Sequence, residues 1–568
     1  MFKNPSLKKI IKLIQLARLR NKKDLSLQTV LEIKNDSEKS RLFNRREMLK
    51  ITGQAAALLP FSGLVAHHAI AQSIRKPLKS DAPIIIVGGG IAGLVAAYRL
   101  SNAGIACELY EAGDRLGGRM FTHENFNSDG MFCELGGELV DNDHTDLIQL
   151  CNELGVGIQS INDEDHSIHT DLFYVDGRVI SEREMLEAFQ PLAAHINSDI
   201  EAAFGGSTVK TPTYKDKNDP SLVKYDQMPL SEYLYSKTDV DKWVLDLINV
   251  LYVCEFGLEL DQQSTLNFLT LITIDTIGSS DTNPKLLGDS DESNRIAGGS
   301  STLPNAIVRA IQDRVPIHLG YQLVKIQERG RKLKLTFIKE SSVTEITAAQ
   351  IVCAIPFSTL RHVEGIYNIG LNSNMQECIR SLGYGTNSKF MLGFKSRVWR
   401  NQGKESSNGG LLTITQQQFW ETSRMQPGKC GILTQFLGGD FGRQLPRDNL
   451  ISTLRLLEKV YPGAQDQFDG YKKLHHWPSH LWSKGSYSCF KPGQYTTMQG
   501  LAAERHLSDR LLFAGEHTSI ESGGFMNGAV ESGNRVSETI LKLRSLTDSH
   551  TSRAQKTIMD HISFGVLH

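Results

Sequence analysis

Gly88, Gly90 and Gly93 stand in GGGIAG directly after the apolar run Ile84 to Val87, and Glu111 follows a second strand expected over 106–110. The spacing reads as strand, glycine turn, helix, strand and acid. In such a unit the first glycine permits a tight turn, the second lets the backbone approach a pyrophosphate, and the third lets the helix pack against the strand. Glu111 is placed to accept from ribose hydroxyls, and its charge disfavours a 2′-phosphate. Arg115 and Arg119 flank Gly117 and Gly118 just beyond it, a turn suited to a second phosphate contact. A dinucleotide is expected, with no choice yet between NAD and FAD.

A second chemical signal is a lysine in an apolar strand. Lys389 lies in GTNSKFMLGF, whose tail alternates Phe390, Leu392 and Phe394 with Met391 and Gly393 as a core strand does. An ammonium there is costly to bury unless it has a task; the alternative is a side chain that snorkels to the surface. His475 and His476 are neighbours on an extended segment, so they point to opposite faces and are not a metal pair. The 8 cysteines have irregular spacings with no CxxC pair, which argues against a zinc site or a disulfide scaffold. No metal is expected.

The chain has 568 residues, 40% of them hydrophobic and 22% charged, enough for two or more intimately packed domains. Its net charge of −1 hides an asymmetry: residues 1–71 carry 14 Lys and Arg against 5 Asp and Glu, leaving 48 against 58 for the remainder. The acidic body argues against a nucleic-acid partner and favours cationic substrates. Arg45 and Arg46 open NRREMLK, before a weakly apolar stretch from Ile51 to Ala66 and the small-residue pattern Ala69, Ile70, Ala71. This reads as a twin-arginine signal, with cleavage after Ala71 and periplasmic export by the twin-arginine machinery expected. Lys3, Lys8, Lys9 and Lys12 among Ile10, Ile11, Leu13 and Ile14 suggest a basic amphipathic helix that would hold an uncleaved leader on a membrane surface.

Several blocks, in order, resemble the FAD-dependent amine oxidase superfamily of monoamine oxidases, polyamine oxidases and L-amino-acid oxidases. They are GGGIAGL, YEAGDRLGGR, ELGGELVD, RIAGGSSTLP, IVCAIP, GTNSK, GSYSCFKPGQ, and FAGEHTS with GGFMNGAVESGNR. The resemblance implies FAD contacts at Gly88, Gly90, Ile91, Ala92, Gly93, Glu111, Ala112, Arg119, Gly136, Gly137, Glu138, Leu139, Leu323, Gly515, Glu516, Gly524, Phe525 and Met526. Glu138 is expected near the flavin phosphates, and Glu516 is expected to accept from cofactor hydroxyls or ordered water. A helix opening near Met526 would aim its positive end at the flavin ring. His517 is expected to contact backbone or cofactor.

The resemblance also implies that Lys389 is the active-site lysine, holding a water against the flavin and assisting reaction with oxygen. Tyr487 and Phe525 match the two aromatic positions flanking the amine path, and Trp482 is expected in the same pocket. Where L-amino-acid oxidases have GPMR, with an arginine for the substrate carboxylate, this chain has Gly136, Gly137, Glu138 and Leu139. Ser486 takes the place of the cysteine that attaches FAD in animal monoamine oxidases, so non-covalent FAD is expected. The implied activity is oxidation of a primary or secondary amine to an imine and then an aldehyde, with O2 reduced to H2O2. An L-amino-acid oxidase and a non-oxidase FAD protein, an electron carrier or desaturase, are the alternatives.

The expected fold is α/β, α+β overall, with a discontinuous Rossmann-like FAD-binding domain over 82–160, 291–365 and 479–545. A mixed sheet and helical substrate domain is inserted at 161–290 and 366–478. A leader at 1–71 and a tail at 546–568 complete the chain. The polar stretches 205–223 and 279–294 are expected to be loops over the pocket.

Overall fold

The computed structural model describes residues 5–34, 82–161, 169–205, 211–273, 292–401 and 406–564. Its first sheet has five parallel strands in the order Leu511–Phe513, Ile351–Cys353, Ile84–Val87, Cys107–Glu111, Ile317–Leu319. Alternation along the central strand decides what covers each face. Ile84 and Ile86 join Leu94, Val95, Leu303 and Val530 from helices on one side, while Ile85 and Val87 join Leu333, Leu335 and Phe337 from an antiparallel meander on the other. An unbroken apolar run is what a strand covered on both faces requires. Strands drawn from distant parts of the chain thus share one sheet.

Helix Ile91–Asn102 starts immediately after the glycine turn and ends before Gly104, which takes a left-handed φ of 77°. It packs against helix Met526–Phe564, so the first and last helices of this half lie side by side. The second sheet has seven strands in the order Phe468–His476, Ser388–Phe394, Gly431–Leu437, Gln417–Glu421, Ser407–Thr413, His169–Val175, Arg178–Val179. Ser388–Phe394 is an interior strand with every residue buried, and it carries Lys389 into the centre of the molecule. Helices Pro220–Gln227, Leu230–Tyr235, Lys242–Phe256 and Thr265–Thr273 build a layer beside it.

Two expectations change here. The stretch 205–223 is not a loop over the pocket in its described part: Asp219 caps the amide groups of Ser221 and Leu222, Pro220 sits in the first turn, and a helix follows. Tyr214 lies beside it and donates its N–H to the Gln499 carbonyl at 3.0 Å, away from the cavity described below. Of 279–294, only 292–294 is among the described residues, and it contributes Glu292 to the cavity wall.

The larger correction concerns the N-terminus. Helix Pro5–Lys23 does not lie on a surface; Leu7, Ile10, Ile11, Leu13, Ile14, Leu16 and Ala17 are buried in the same cluster as Leu192, Ile196, Leu247 and Leu251. Arg18, also buried, donates to Asn197 Oδ1 at 2.7 Å and to the Ile272 carbonyl at 3.2 Å. Lys9 and Lys34 both pair with Glu182, which they hold down to about 2 against the opposing effect of burial. The apolar stripe that suggested a membrane is filled by the protein's own helices. The first part of the expected leader is therefore built into the body. Arg45, Arg46, the stretch from Ile51 to Ala66 and the expected cleavage point at Ala71 lie outside the described residues. Among the described residues, no helix is long and apolar enough to cross a membrane.

Candidate active site

A cavity of about 400 Å³ is lined by both ends of the first domain and by the second sheet. Of the residues singled out for cofactor contact or catalysis, all but Gly93 and His517 are in its wall. Gly93 stands behind it: a Cβ there would meet the Gly88 carbonyl oxygen at 2.0 Å, so the helix could not approach the strand. Gly90 differs in kind. Its φ of −69° suits any residue, and a Cβ would meet nothing in the protein closer than 3.9 Å. Neither backbone nor packing explains the glycine; the open space beside it, in front of a helix N-terminus, fits a pyrophosphate. Replacing Gly93 by Ala is expected to lower stability by about 3 kcal/mol through overpacking and to release flavin; a melting curve and the bound flavin content check this.

Glu111 is positioned by two amide groups, accepting from Gly89 at 2.6 Å and Gly113 at 2.7 Å, with acceptor capacity left toward the cavity. Trp482 lines the same cavity as Tyr487, from beside Gly113 at this ribose end. A Cβ on Gly113 would meet its ring at 3.4 Å, and it lines a shallow recess with Ala112, Asp114 and Gly320. Leu323 enters the wall from the meander strand Gln322–Arg329.

Arg119 ties the two ends of the chain together. Its Nη1 donates to the Ser486 carbonyl at 2.7 Å and to Glu516 Oε1 at 2.8 Å. Glu516 also accepts from the Ser488 amide and hydroxyl and from the Gly524 amide. Burial opposes its charge, yet Arg119 and these donors hold it at about 2. With four donors from the chain, Glu516 acts as a latch between three segments. His517, behind it, is packed edge-on against Phe357 at 4.4 Å, and burial lowers it to about 4.

At the other end Lys389 reaches the cavity from the buried strand, donating to the Gly136 carbonyl at 2.9 Å and to Glu138 Oε2 at 2.8 Å. The ammonium also faces the Trp420 ring at 5.2 Å. Glu138 is therefore the counter-charge of the lysine. Thr422 donates to its second oxygen at 3.0 Å; burial resists the charge, but Lys389 keeps the carboxyl below the usual range. Desolvating this pair is offset only because both carboxylate oxygens are hydrogen-bonded.

Tyr487 and Phe525 line the same cavity, with Met526 at the start of the long helix. The Tyr487 hydroxyl donates to the Glu255 carbonyl at 2.7 Å, where helix Lys242–Phe256 ends, which fixes the ring plane. Phe525 stands edge-on to His144 at 5.3 Å. Ser486 is in the wall, while Cys489 is buried outside it, so no thiol among the described lining residues meets the cavity. These residues fit a non-covalently held FAD.

Some wall residues carried no sequence signal. Trp420, Phe436, Asn387 and Glu292 come from the second sheet and from a polar stretch, where only the tertiary fold reveals which side faces inward. The paired histidines do diverge: His475 packs on Trp477 at 4.3 Å and burial lowers it to about 4, while His476 bonds Ser479 Oγ at 2.7 Å. Asp141, Asp143 and His144 present ligand atoms within 4.8 Å of one another, the one metal-like group among the described residues. Asp141 and His144 are engaged with each other, the Asp141 amide donating to His144 Nδ1 at 3.1 Å.

Comparison with known proteins agrees with this geometry. The sequence profile of the flavin-containing amine oxidoreductases matches residues 91–541. The chain is 22% identical over 483 residues to an L-amino-acid oxidase of Gloydius blomhoffii, covering 83% of this chain and 91% of the relative. It is 24% identical over 484 residues to the flavin-containing amine oxidase B of Mus musculus, covering 82% and 86%. Among solved structures, the cyclohexylamine oxidase from Brevibacterium oxydans IH-35A aligns with a TM-score of 0.67 at 21% identity, over 82% of this chain and 99% of that one. A putrescine oxidase bound to putrescine aligns at 0.64 and 19%, over 81% and 99%. With its cofactor cradle, its buried lysine pair and a profile match over most of its length, the chain belongs to the flavin-containing amine oxidoreductase family, whose members are FAD-dependent oxidoreductases.

Proposed function

We propose that the protein oxidises a primary or secondary amine, not an amino acid, to an imine that hydrolyses to an aldehyde, with O2 reduced to H2O2. The observation that supports this is the pairing of the buried lysine. Lys389 is held by Glu138, and the neighbouring Leu139 stands where a carboxylate clamp would be needed; of the wall's other cations, Arg119 is held by Glu516, while Arg115 and Lys484 come from the segments 115–119 and 482–484. A substrate carboxylate would be desolvated there without a charge-assisted partner, a penalty of about 2 kcal/mol or more.

Bound FAD supplies the two-electron acceptor for the amine C–H bond and the site at which oxygen is reduced. The chain's own residues do the rest. Tyr487 and Phe525, both in the cavity wall, would flank the amine path with their π faces and exclude water. The first turn of Met526–Phe564 places a positive dipole end where charge accumulates. Lys389 and Glu138 hold a proton-bearing cation in a site closed to bulk solvent.

Phenethylamine and L-phenylalanine differ only in the carboxylate, so peroxide release from the two tests the reading. The amine is expected to give a kcat/KM at least about tenfold higher, matching the carboxylate penalty. Preference for the amino acid would overturn it. The full chain must be used, since truncation at residue 71 would remove the buried helix Pro5–Lys23.

A further inference from the structure

Glu292 is the one glutamate of the cavity wall whose carboxylate has no donor among the described residues. It is 6% exposed, and neither Oε1 nor Oε2 makes a hydrogen bond. Its companions are all engaged: Glu111 with two amide groups, Glu138 with Lys389 and Thr422, Glu516 with Arg119, Ser488 and Gly524. A buried acceptor without a donor is expensive, and such groups persist where a ligand completes them.

Its position relates it to the substrate end. The Glu292 amide donates to Asp141, Asp141 pairs with His144, and the His144 ring contacts Phe525. Glu255, at the end of the helix that anchors Tyr487, acts on Glu292 through space together with Asp141. Glu292 is thus one step from Asp141, whose partner His144 touches Phe525. Burial and Asp141 push the Glu292 carboxyl well above the usual range, and the opposing influence of Lys8 and Arg424 does not reverse this. Among the described residues, no cation is in direct contact with it.

We propose that Glu292 receives a second cationic group of the substrate, a distal ammonium carried on the same chain as the amine that reacts. This rests on the amine-oxidising reading and narrows it to dications. A diamine carries the required group, and so does a basic amino acid; the shared chemistry is the distal ammonium.

Four compounds separate the questions: cadaverine, n-pentylamine, L-lysine and L-norleucine, which combine presence and absence of a distal ammonium with presence and absence of a carboxylate. With the FAD-loaded full chain, cadaverine is expected to exceed pentylamine about tenfold or more in kcat/KM, chiefly through KM, and Glu292→Gln is expected to abolish most of that preference. Equal use of the two amines by the unaltered protein, or an undiminished preference in a flavin-loaded Glu292→Gln protein, would overturn the subsite. L-lysine above cadaverine, with L-lysine above L-norleucine, would overturn the amine reading while supporting the subsite. If none is turned over or the variant does not fold, calorimetry on the unaltered protein decides: pentamethonium binding about tenfold tighter than pentyltrimethylammonium supports the subsite, and equal binding refutes it.

Discussion

Replacing Lys389 by Met is expected to slow the reaction of the reduced protein with oxygen by about 100-fold, the usual effect of removing one preorganised donor. Anaerobic reduction by an amine is expected to change much less. The difference follows from where the charge lies. The Lys389 ammonium is fixed by Gly136 and Glu138 at the cavity wall, so it is in place to stabilise negative charge as oxygen accepts electrons. Methionine fills the same volume without charge. Because it leaves Glu138 buried without its cation, some loss of stability will accompany the chemical effect. The double variant Lys389→Met with Glu138→Gln removes both charges and separates the two: stability should recover while reoxidation stays slow. Stopped-flow reoxidation of both variants measures this. An unchanged oxygen rate in a flavin-loaded Lys389→Met protein would favour the non-oxidase alternative.

Deleting residues 1–34 is expected to leave no soluble flavoprotein. Six large aliphatic residues of helix Pro5–Lys23, Leu7, Ile10, Ile11, Leu13, Ile14 and Leu16, are each 1% exposed or less. At about 1.5–3 kcal/mol for each buried side chain, their removal takes away on the order of 10 kcal/mol, as much as the whole stability of an ordinary domain. It would also expose the helices beneath and leave Glu182 without Lys9 and Lys34. That ion pair adds an acid-sensitive part: the stability it contributes is present above 4.5 and lost as pH falls toward about 2, since the folded carboxyl is the more acidic one. Expression with soluble yield and flavin absorbance as readouts checks the deletion. Soluble, yellow and active protein lacking 1–34 would return this segment to the status of a detachable leader.

The nucleotide-binding half was legible because its rules are local. A strand with four consecutive apolar residues, a glycine that only a close helix explains and an acid at the end of the next strand lie within one βαβ unit. Backbone sterics and burial on both faces act over a few residues, so sequence carries them. Lys389 was also legible, as a charge inside an apolar strand. Its partner was not, because Glu138 lies 251 positions earlier and nothing local marks it. The same holds for Glu516, whose role as a latch depends on Arg119, 397 positions away.

Amphipathic pattern was the weakest guide. The stripe on Pro5–Lys23 states that one face needs covering but not by what, and a membrane and a neighbouring helix satisfy it equally.

The order of residues alone therefore determined the cofactor cradle, the family and the presence of a buried lysine, since these follow from short-range geometry and from recurring local motifs. The tertiary structure alone decided that Lys389 is neutralised by Glu138, that the N-terminal helix is core and that Glu292 has no donor among the described residues. Charge pairing and the covering of apolar faces are settled between groups hundreds of positions apart, where distance in space, not distance along the chain, sets the energy.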